Sequence, residues 1–386
     1  MEAEREFLTT RNGAVKRGSH LLAEEATEAY EAAREKVAAF VGGQTDEVVW
    51  TKNSTEALNL VAYSLSNASA GRGGEAASRL AIGPGDEIVV TRAEHHANLV
   101  PWQELCARTG ATLKWLDVLP MGTPDQGRLD MATLDVMTER TKIVAFAHVS
   151  NVTGAVAPVA EIVAAAKAVG ALVVLDACQS VPHFPVDFPS LGVDVAVFSG
   201  HKMLGPTGIG ALWAKAGLLD ALPVFMTGGS MVEVVTMEST TYLKAPAKFE
   251  AGTQMVSQAV GLGAAVDYLN HVGMENIHAH EVALTERMLA GISKIDGVRV
   301  VGPTSSHDRV GAVAFVVEDV HPHDVGQVLD SKGVEVRVGH HCAQPIHQVF
   351  DTFASSRASI GPYNTEADVD AFLDALSGVR AYFGVS

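Results

Sequence analysis

The sequence predicts an α/β protein: one large, mostly parallel sheet, followed after about residue 265 by a smaller α+β unit. Two observations carry that expectation. Short apolar runs bounded by turn residues alternate with helical patterns through the first part of the chain, as successive strand–helix–strand crossovers require. Beyond that point the order changes to a long helical pattern interspersed with short strands, and no internal repeat or heptad pattern is present.

Taken in order, Val48 to Thr51 reads as a strand, and Ser54-Thr55-Glu56-Ala57 opens the helix after it. The Gly-rich insert Asn67 to Ser78 predicts a mobile surface loop. Glu87 to Thr91, Thr112 to Val118, Ile143 to His148, Leu172 to Leu175 and Val193 to Phe198 read as strands, and Val100 to Arg108 and Val159 to Val169 as helices. Gly110 and Gly170 stand just past those two helical patterns, where a left-handed residue closes a helix. In the last third the pattern predicts a helix over Met274 to Leu289, strands at Val298 to Val301 and Ala312 to Val317, a helix near Asp324 to Ser331 and a strand at Val334 to Arg337. Thr365, with Asp368 three residues on, starts a final helix in capping-box style before the apolar stripe Val369, Phe372, Leu373 and Leu376.

Composition narrows the function classes. With 386 residues, 47% of them hydrophobic, the chain can bury a large core. A net charge of −17 opposes phosphate backbones and anionic lipid surfaces, so neither nucleic acid nor membrane is an expected partner. Three cysteines, Cys106, Cys178 and Cys342, form no C-x-x-C pair, and the first residues carry no basic-then-apolar leader, which predicts a cytoplasmic protein. No stretch approaches the roughly 18 apolar residues that span a bilayer.

Ligands of parallel sheets bind beyond the carboxyl ends of the strands, where His95, Asn151, Asp176 and Lys202 all fall. Lys202, in the Gly-flanked turn Ser199-Gly200-His201-Lys202, is by itself an ordinary surface lysine. Asp176, at the end of another buried strand, changes that reading. An acid facing a pyridine nitrogen and an amine holding an aldehyde are what pyridoxal 5'-phosphate needs. The second nucleophile is the thiol of His340-His341-Cys342-Ala343, whose neighbouring imidazoles and Arg337 favour a thiolate; its competing reading is a buried, inert cysteine. A zinc site from His340, His341, Cys342 and His347 is disfavoured, because consecutive ligands point in different directions. No metal is expected.

Asp176-Ala177-Cys178-Gln179 and Ser199-Gly200-His201-Lys202-Met203-Leu204-Gly205-Pro206-Thr207-Gly208 resemble the class V, fold-type I pyridoxal phosphate enzymes, and within them the SufS-type (group II) cysteine desulfurases. The likeness runs from Gly13-Ala14-Val15 through Glu94-His95-His96-Ala97-Asn98 and Phe249-Glu250-Ala251-Gly252-Thr253 to Tyr363-Asn364-Thr365. It implies an N-terminal segment (1–30) associated with the small domain, a large cofactor-binding domain (31–265) and a small C-terminal domain (266–386) carrying the cysteine loop.

The resemblance also implies roles. Ser54 and Thr55 hold the cofactor phosphate with Ser199, His201 and a Thr253 lent by the partner subunit of a homodimer. Read from the sequence alone, without the rest of the constellation, Ser54-Thr55 is more simply a plain helix cap. His95 stacks on the pyridine ring and takes part in proton transfer, where the bland alternative is a polar strand end. Gln179 and Asn151 hydrogen-bond the cofactor phenolic oxygen or the substrate carboxylate. Arg357 pairs with that carboxylate, and Arg337 is a second candidate for it. The implied reaction takes L-cysteine to L-alanine, leaves a persulfide on Cys342 and passes the sulfur to an acceptor protein for iron–sulfur cluster or other sulfur metabolism. L-selenocysteine, or the substrate of a pathway-specific C–S lyase, is the alternative within the enzymes. A non-catalytic subunit of a sulfur-transfer complex is the alternative outside them.

Two departures from the pattern stand out. The usual strand of the form Leu-Asp-Asn-Ala-Ala-Thr does not precede the first helix, so another segment is expected to close that edge of the site. Lys16 stands where a histidine is usual, and Gly361-Pro362 replaces larger residues before Tyr363.

Overall fold

A computed structural model describes residues 1–385. Strands β1 (Val48–Thr51), β2 (Glu87–Thr91), β3 (Thr112–Leu116), β4 (Thr141–Ala147), β5 (Leu172–Asp176), β6 (Val195–Ser199) and β7 (Gly210–Ala214) form a seven-stranded sheet in the order β1-β7-β6-β5-β4-β2-β3. β3, β2, β4, β5 and β6 pair in parallel, and β7 alone runs against its two neighbours, β6 and β1. The inner strands are buried on both faces, which is why they read as unbroken Val, Ile, Leu and Ala runs rather than alternating ones. Successive residues nevertheless enter different cores. Val173, Leu175, Ala196 and Phe198 pack on one face, and Val174, Val195 and Val197 on the other. Each fully buried side chain of this size contributes about 1.5–3 kcal/mol of transfer free energy, so the sheet is a stiff platform for the loops at its ends.

From β2 the chain winds outward to the edge strand β3 and then returns to the other side of β2 to lay down β4, β5 and β6. This reversal opens a crevice at the carboxyl ends of β2 and β4, the expected place for a ligand.

A two-stranded ribbon, β8 (Val232–Val235) with β9 (Thr240–Tyr242), leads to the helix Val256–Val272. Strands β10 (Val298–Val300), β11 (Ala312–Val317), β12 (Arg337–Gly339) and β13 (Ser355–Ser359) then form a separate antiparallel sheet in the order β10-β11-β13-β12. Its core joins Phe315 and Ala358 to Leu284 and Met288 of the helix Met274–Ile292, Val325 and Leu329 of the helix Pro322–Asp330, and Phe372 and Leu376 of the helix Glu366–Ser377. That last helix opens with the capping box read from Thr365 and Asp368: Asp368 Oδ2 accepts from Thr365 N at 2.8 Å, and Thr365 Oγ1 accepts from Asp368 N. Among the described residues no helix is long and apolar enough to cross a membrane.

Three expectations shift. The insert Asn67 to Ser78 is not one loop. The helix Ser54–Ser69 runs into it, Gly71 and Gly73 turn the chain at positive φ, and Gly74–Ser78 makes one further helical turn that buries Ala77. The strand expected over Val334 to Arg337 begins only at Arg337, because Val334 N still donates to Leu329 O in the turn that ends the preceding helix. The N-terminal segment, expected with the small domain, packs Phe7 and Val15 into the core of the larger sheet instead. Its helix Glu2–Thr10 and the next one, Leu21–Phe40, lie on Val256–Val272, whose Ala- and Gly-rich surface permits close approach.

Candidate active site

Past β2 the chain makes a tight turn through Glu94 and His95. The Glu94 carboxyl is buried; Oε1 accepts from Thr91 Oγ1 at 2.6 Å and Ala147 N at 3.0 Å, and Oε2 from Asn98 Nδ2 at 2.7 Å. These bonds tie the turn to both β2 and β4. Burial pushes the Glu94 carboxyl up to about 8, against the pull of its three donors. Sequence reasoning assigned Glu94 no task of its own; the only signal was Asn98 four residues on.

His95 caps the short turn that follows, its Nδ1 accepting from Ala97 N at 3.0 Å. That bond fixes the tautomer and leaves the proton on Nε2. Burial, then Lys202, His96 and Arg337, hold His95 down to about 4 against the opposing charge of Asp176. At neutral pH the ring is therefore uncharged.

Asp176 ends β5, almost fully buried. Its Oδ1 accepts from Cys178 N at 3.0 Å, and Oδ2 has no hydrogen-bond partner among the described residues. Such a carboxylate is poised for an external donor. Ser199 ends β6 next to it and links the strand to the helix Ser54–Ser69: its Oγ accepts from Ser54 N at 3.0 Å and donates to Ser54 Oγ at 3.1 Å. The helix cap is Asn53, whose Oδ1 accepts from Glu56 N at 3.0 Å. Ser54 and Thr55 thus lie inside the first turn, the position from which backbone N–H groups and hydroxyls can face an anion. Thr55 is exposed there.

Lys202 closes a single 3₁₀ turn, Gly200–Lys202, and is half-buried beside an exposed His201. The turn depends on Gly205, whose N donates to Gly200 O at 2.9 Å and whose Cβ, if present, would lie 2.7 Å from Leu262 Cδ1. Gln179 follows Asp176 by three residues, with Oε1 3.3 Å from His183 Nε2. Cys178 is buried against Ser199 Oγ at 3.7 Å, and burial pushes its thiol up to about 11, so it is unreactive.

The cysteine loop comes from the second sheet. Between β12 and the helix Gln344–Val349 the chain makes a turn closed by Ala343 N to His340 O at 2.9 Å, with both central residues, His341 (φ +53°) and Cys342 (φ +59°), in the left-handed region. Two non-glycine residues in that region store backbone strain, which persists only where surrounding contacts hold them. Those contacts are present. His96 N donates to Cys342 O at 2.6 Å, Gln344 N to His96 Nε2 at 3.1 Å, and Asn151 Nδ2 to His341 O at 2.6 Å. Below the turn, Ser355 Oγ meets His341 Nε2 at 3.0 Å and His347 Nε2 at 2.9 Å.

Two arginines complete the arrangement. Arg337 directs an N–H at Cys342 Sγ at 3.3 Å. Arg357, on the neighbouring strand, donates to Asn151 O at 2.9 Å; burial and Arg337 draw its guanidinium down to about 10, and it stays charged at neutral pH. No group of three or more His, Cys, Asp or Glu side chains among the described residues is arranged to hold a metal. Thr253 lies elsewhere, exposed at a small cleft with Lys52 and Glu56; the segment before it is pinned by the buried Arg34–Glu250 pair, whose Nη1–Oε1 contact is 2.6 Å. Lys16 is paired with Glu31 at 2.7 Å, and Tyr363 is exposed.

A buried acid, a half-buried lysine, a neutral histidine and an arginine-bound thiol, gathered where a doubly wound sheet reverses its winding, define an enzyme of the fold-type I class. The chain belongs to the aminotransferase class-V family, whose pattern matches residues 1–372. It is 56% identical over 385 residues to a protein of Mycobacterium leprae named probable cysteine desulfurase 2, covering 100% of this chain and 89% of that one. Among solved structures it is similar to the apo cysteine desulfurase of Thermococcus onnurineus (TM-score 0.90, 35% identity, covering 98% of this chain and 90% of that one). It is also similar to the Escherichia coli cysteine desulfurase CsdA (TM-score 0.86, 34% identity, covering 99% and 91%).

Proposed function

We propose that the protein is a pyridoxal 5'-phosphate-dependent cysteine desulfurase that converts L-cysteine to L-alanine and receives the sulfur on Cys342 as a persulfide. The observation that carries this reading is the placement of Cys342. Its thiol stands at the tip of a strained turn, under an Arg337 N–H, and the turn is bonded to the segment that carries His95. Aldehyde chemistry alone needs no thiol; accepting sulfur does.

The residues present suit the cofactor. The unpartnered Oδ2 of Asp176 is matched to a protonated pyridine nitrogen, and the first turn of the helix Ser54–Ser69, with Ser54, Thr55, Ser199 and His201, to a phosphate. When bound, the cofactor supplies an electron sink for the substrate Cα. Lys202 holds its aldehyde and moves the Cα proton. His95, with its proton on Nε2, would stack on the cofactor ring and take part in proton transfer, and Gln179 would donate to the phenolic oxygen. Arg357 binds the substrate carboxylate, and Asn151 holds both Arg357 and the cysteine loop in place. The Cys342 thiolate attacks the substrate sulfur: the S–S bond forms as the Cβ–S bond breaks, and the carbon fragment takes up protons to leave as alanine.

In this reading the protein is a homodimer of the cytoplasm, with Thr253 of each chain completing the phosphate site of the other. The four-stranded unit after residue 266 is a small domain carrying the cysteine loop, and the persulfide passes to an acceptor protein for iron–sulfur clusters or other sulfur metabolism. The test is stoichiometric. Purified protein given L-cysteine and a thiol reductant is expected to be yellow and to release alanine and sulfide in equal amounts. A colourless protein, or alanine without sulfide, overturns the reading.

A further inference from the structure

Gln179 is held through His183 by a relay that reaches a separate helix. Its Oε1 lies 3.3 Å from His183 Nε2, and His183 Nδ1 lies 2.7 Å from Oε2 of Glu281, on the helix Met274–Ile292. Glu281 is 2% exposed, and its other oxygen has no partner. Hydrogen-bond accounting fixes the protons. Gln179 Oε1 can only accept, so His183 Nε2 carries a hydrogen, and the 2.7 Å contact between Nδ1 and Glu281 Oε2 shares a proton at the other end of the ring. The ring thus presents an N–H to the Gln179 carbonyl and is itself held by Glu281.

We propose that Glu281 and His183 are positioning residues that lock the Gln179 amide with its carbonyl turned toward His183, leaving its NH2 group as a donor for the site. Gln179 Nε2 has no hydrogen-bond partner among the described residues, in keeping with a donor reserved for a ligand. The consequence is directional. A freely rotating glutamine presents carbonyl or NH2 equally well, whereas the relay permits only the donor. Because Glu281 belongs to the helix that packs on the four-stranded sheet, the orientation of Gln179 is also tied to the seating of that helix.

The inference rests on the cofactor role proposed for Gln179, and its test keeps the two apart. Cofactor affinity is measured by titrating pyridoxal 5'-phosphate into the apoprotein and following the visible band, for the parent, Gln179→Ala, His183→Ala, Glu281→Gln and the double variant Gln179→Ala/His183→Ala. Each single variant is expected to weaken affinity about tenfold, the scale of one hydrogen bond. The double variant is expected to be no weaker than Gln179→Ala, since His183 acts through Gln179. Additive losses in the double variant, or parent-like affinity in His183→Ala and Glu281→Gln, overturn the relay and leave the desulfurase reading intact. A parent that takes up no cofactor overturns both. Apoprotein melting reads general damage separately; if His183→Ala does not fold, His183→Gln replaces it and is judged by the same cycle.

Discussion

Arg337 and Arg357 are register partners across the antiparallel pair β12–β13, two guanidinium groups opposite one another at the mouth of the site. Like charges so placed repel, and nothing in the sheet itself demands them. The pair makes sense as a receptor for negative charge: Arg337 addresses the Cys342 sulfur, and Arg357 the space beside Asn151. Arg357→Ala is therefore expected to raise the KM for cysteine at least about 30-fold, corresponding to roughly 2 kcal/mol of lost binding. Arg337→Ala should instead slow persulfide formation at nearly unchanged KM. Steady-state kinetics combined with mass spectrometry of Cys342 separates the two.

Lys202→Ala is expected to abolish covalent retention of the cofactor. Borohydride reduction followed by peptide mapping should find the label on Lys202 in the parent and on no lysine in the variant; a label elsewhere would refute the assignment.

Cys342→Ala should keep the yellow colour and the spectral response to added cysteine, yet lose persulfide and drop alanine release by at least about 100-fold, as removal of a covalent nucleophile does. Parent-like turnover would make Cys342 structural. Cys178→Ala is the control, because its buried, raised thiol is not expected to carry sulfur.

The pH dependence of stability has a definite sign. Burial holds His95 and His148 down to about 4 and His341 down to about 3, so between roughly pH 6.5 and 4 the unfolded chain binds more protons at these sites than the folded one. Their contribution is present above that window and is lost as pH falls through it. Glu94, raised to about 8, acts in the opposite sense, stabilising below its unfolded value and losing that contribution as pH rises toward 8. The apoprotein melting temperature is expected to fall from pH 7 to pH 5, with a flatter profile in His148→Asn. A profile that rises on acidification would mean that Glu94 outweighs the histidines.

Glu250→Ala should cost about 3–5 kcal/mol in denaturant unfolding, because it removes the buried carboxylate of Arg34, leaving that guanidinium only the half-buried Glu31 at Nε and Val48 O, and removes the acceptor of Trp50 N and Tyr30 Oη–H. A loss under about 1 kcal/mol, the scale of a surface pair, would show that Glu31 alone holds Arg34.

Much of this architecture is legible in the sequence, and the reasons differ from element to element. The buried strands announce themselves because a sheet covered on both faces needs unbroken apolar runs, and Thr365 with Asp368 marks a helix start because the capping box is a local device. Local competition explains the misses. Composition suggested a loop over Asn67 to Ser78, but Ala77 finds a buried place and draws a helical turn with it. Val334 looked like the start of a strand, yet its N–H was already committed to the preceding turn. The catalytic candidates fall at strand ends that any α/β reading singles out. Glu94, His183 and Glu281 do not, because their meaning lies in partners that the fold supplies: β4 for Glu94, and for His183 a helix 98 residues away.

The two bonds between His96 and the cysteine turn, His96 N to Cys342 O and Gln344 N to His96 Nε2, make one small segment the shared anchor of two reagents that belong to different sheets. The imidazole of His95 and the sulfur of Cys342 are separated by hundreds of residues of chain, yet the bonds at His96 join their two segments directly. The position of the thiol is thereby set by a local latch at this turn, while Lys202 sits on a different strand end of the large sheet.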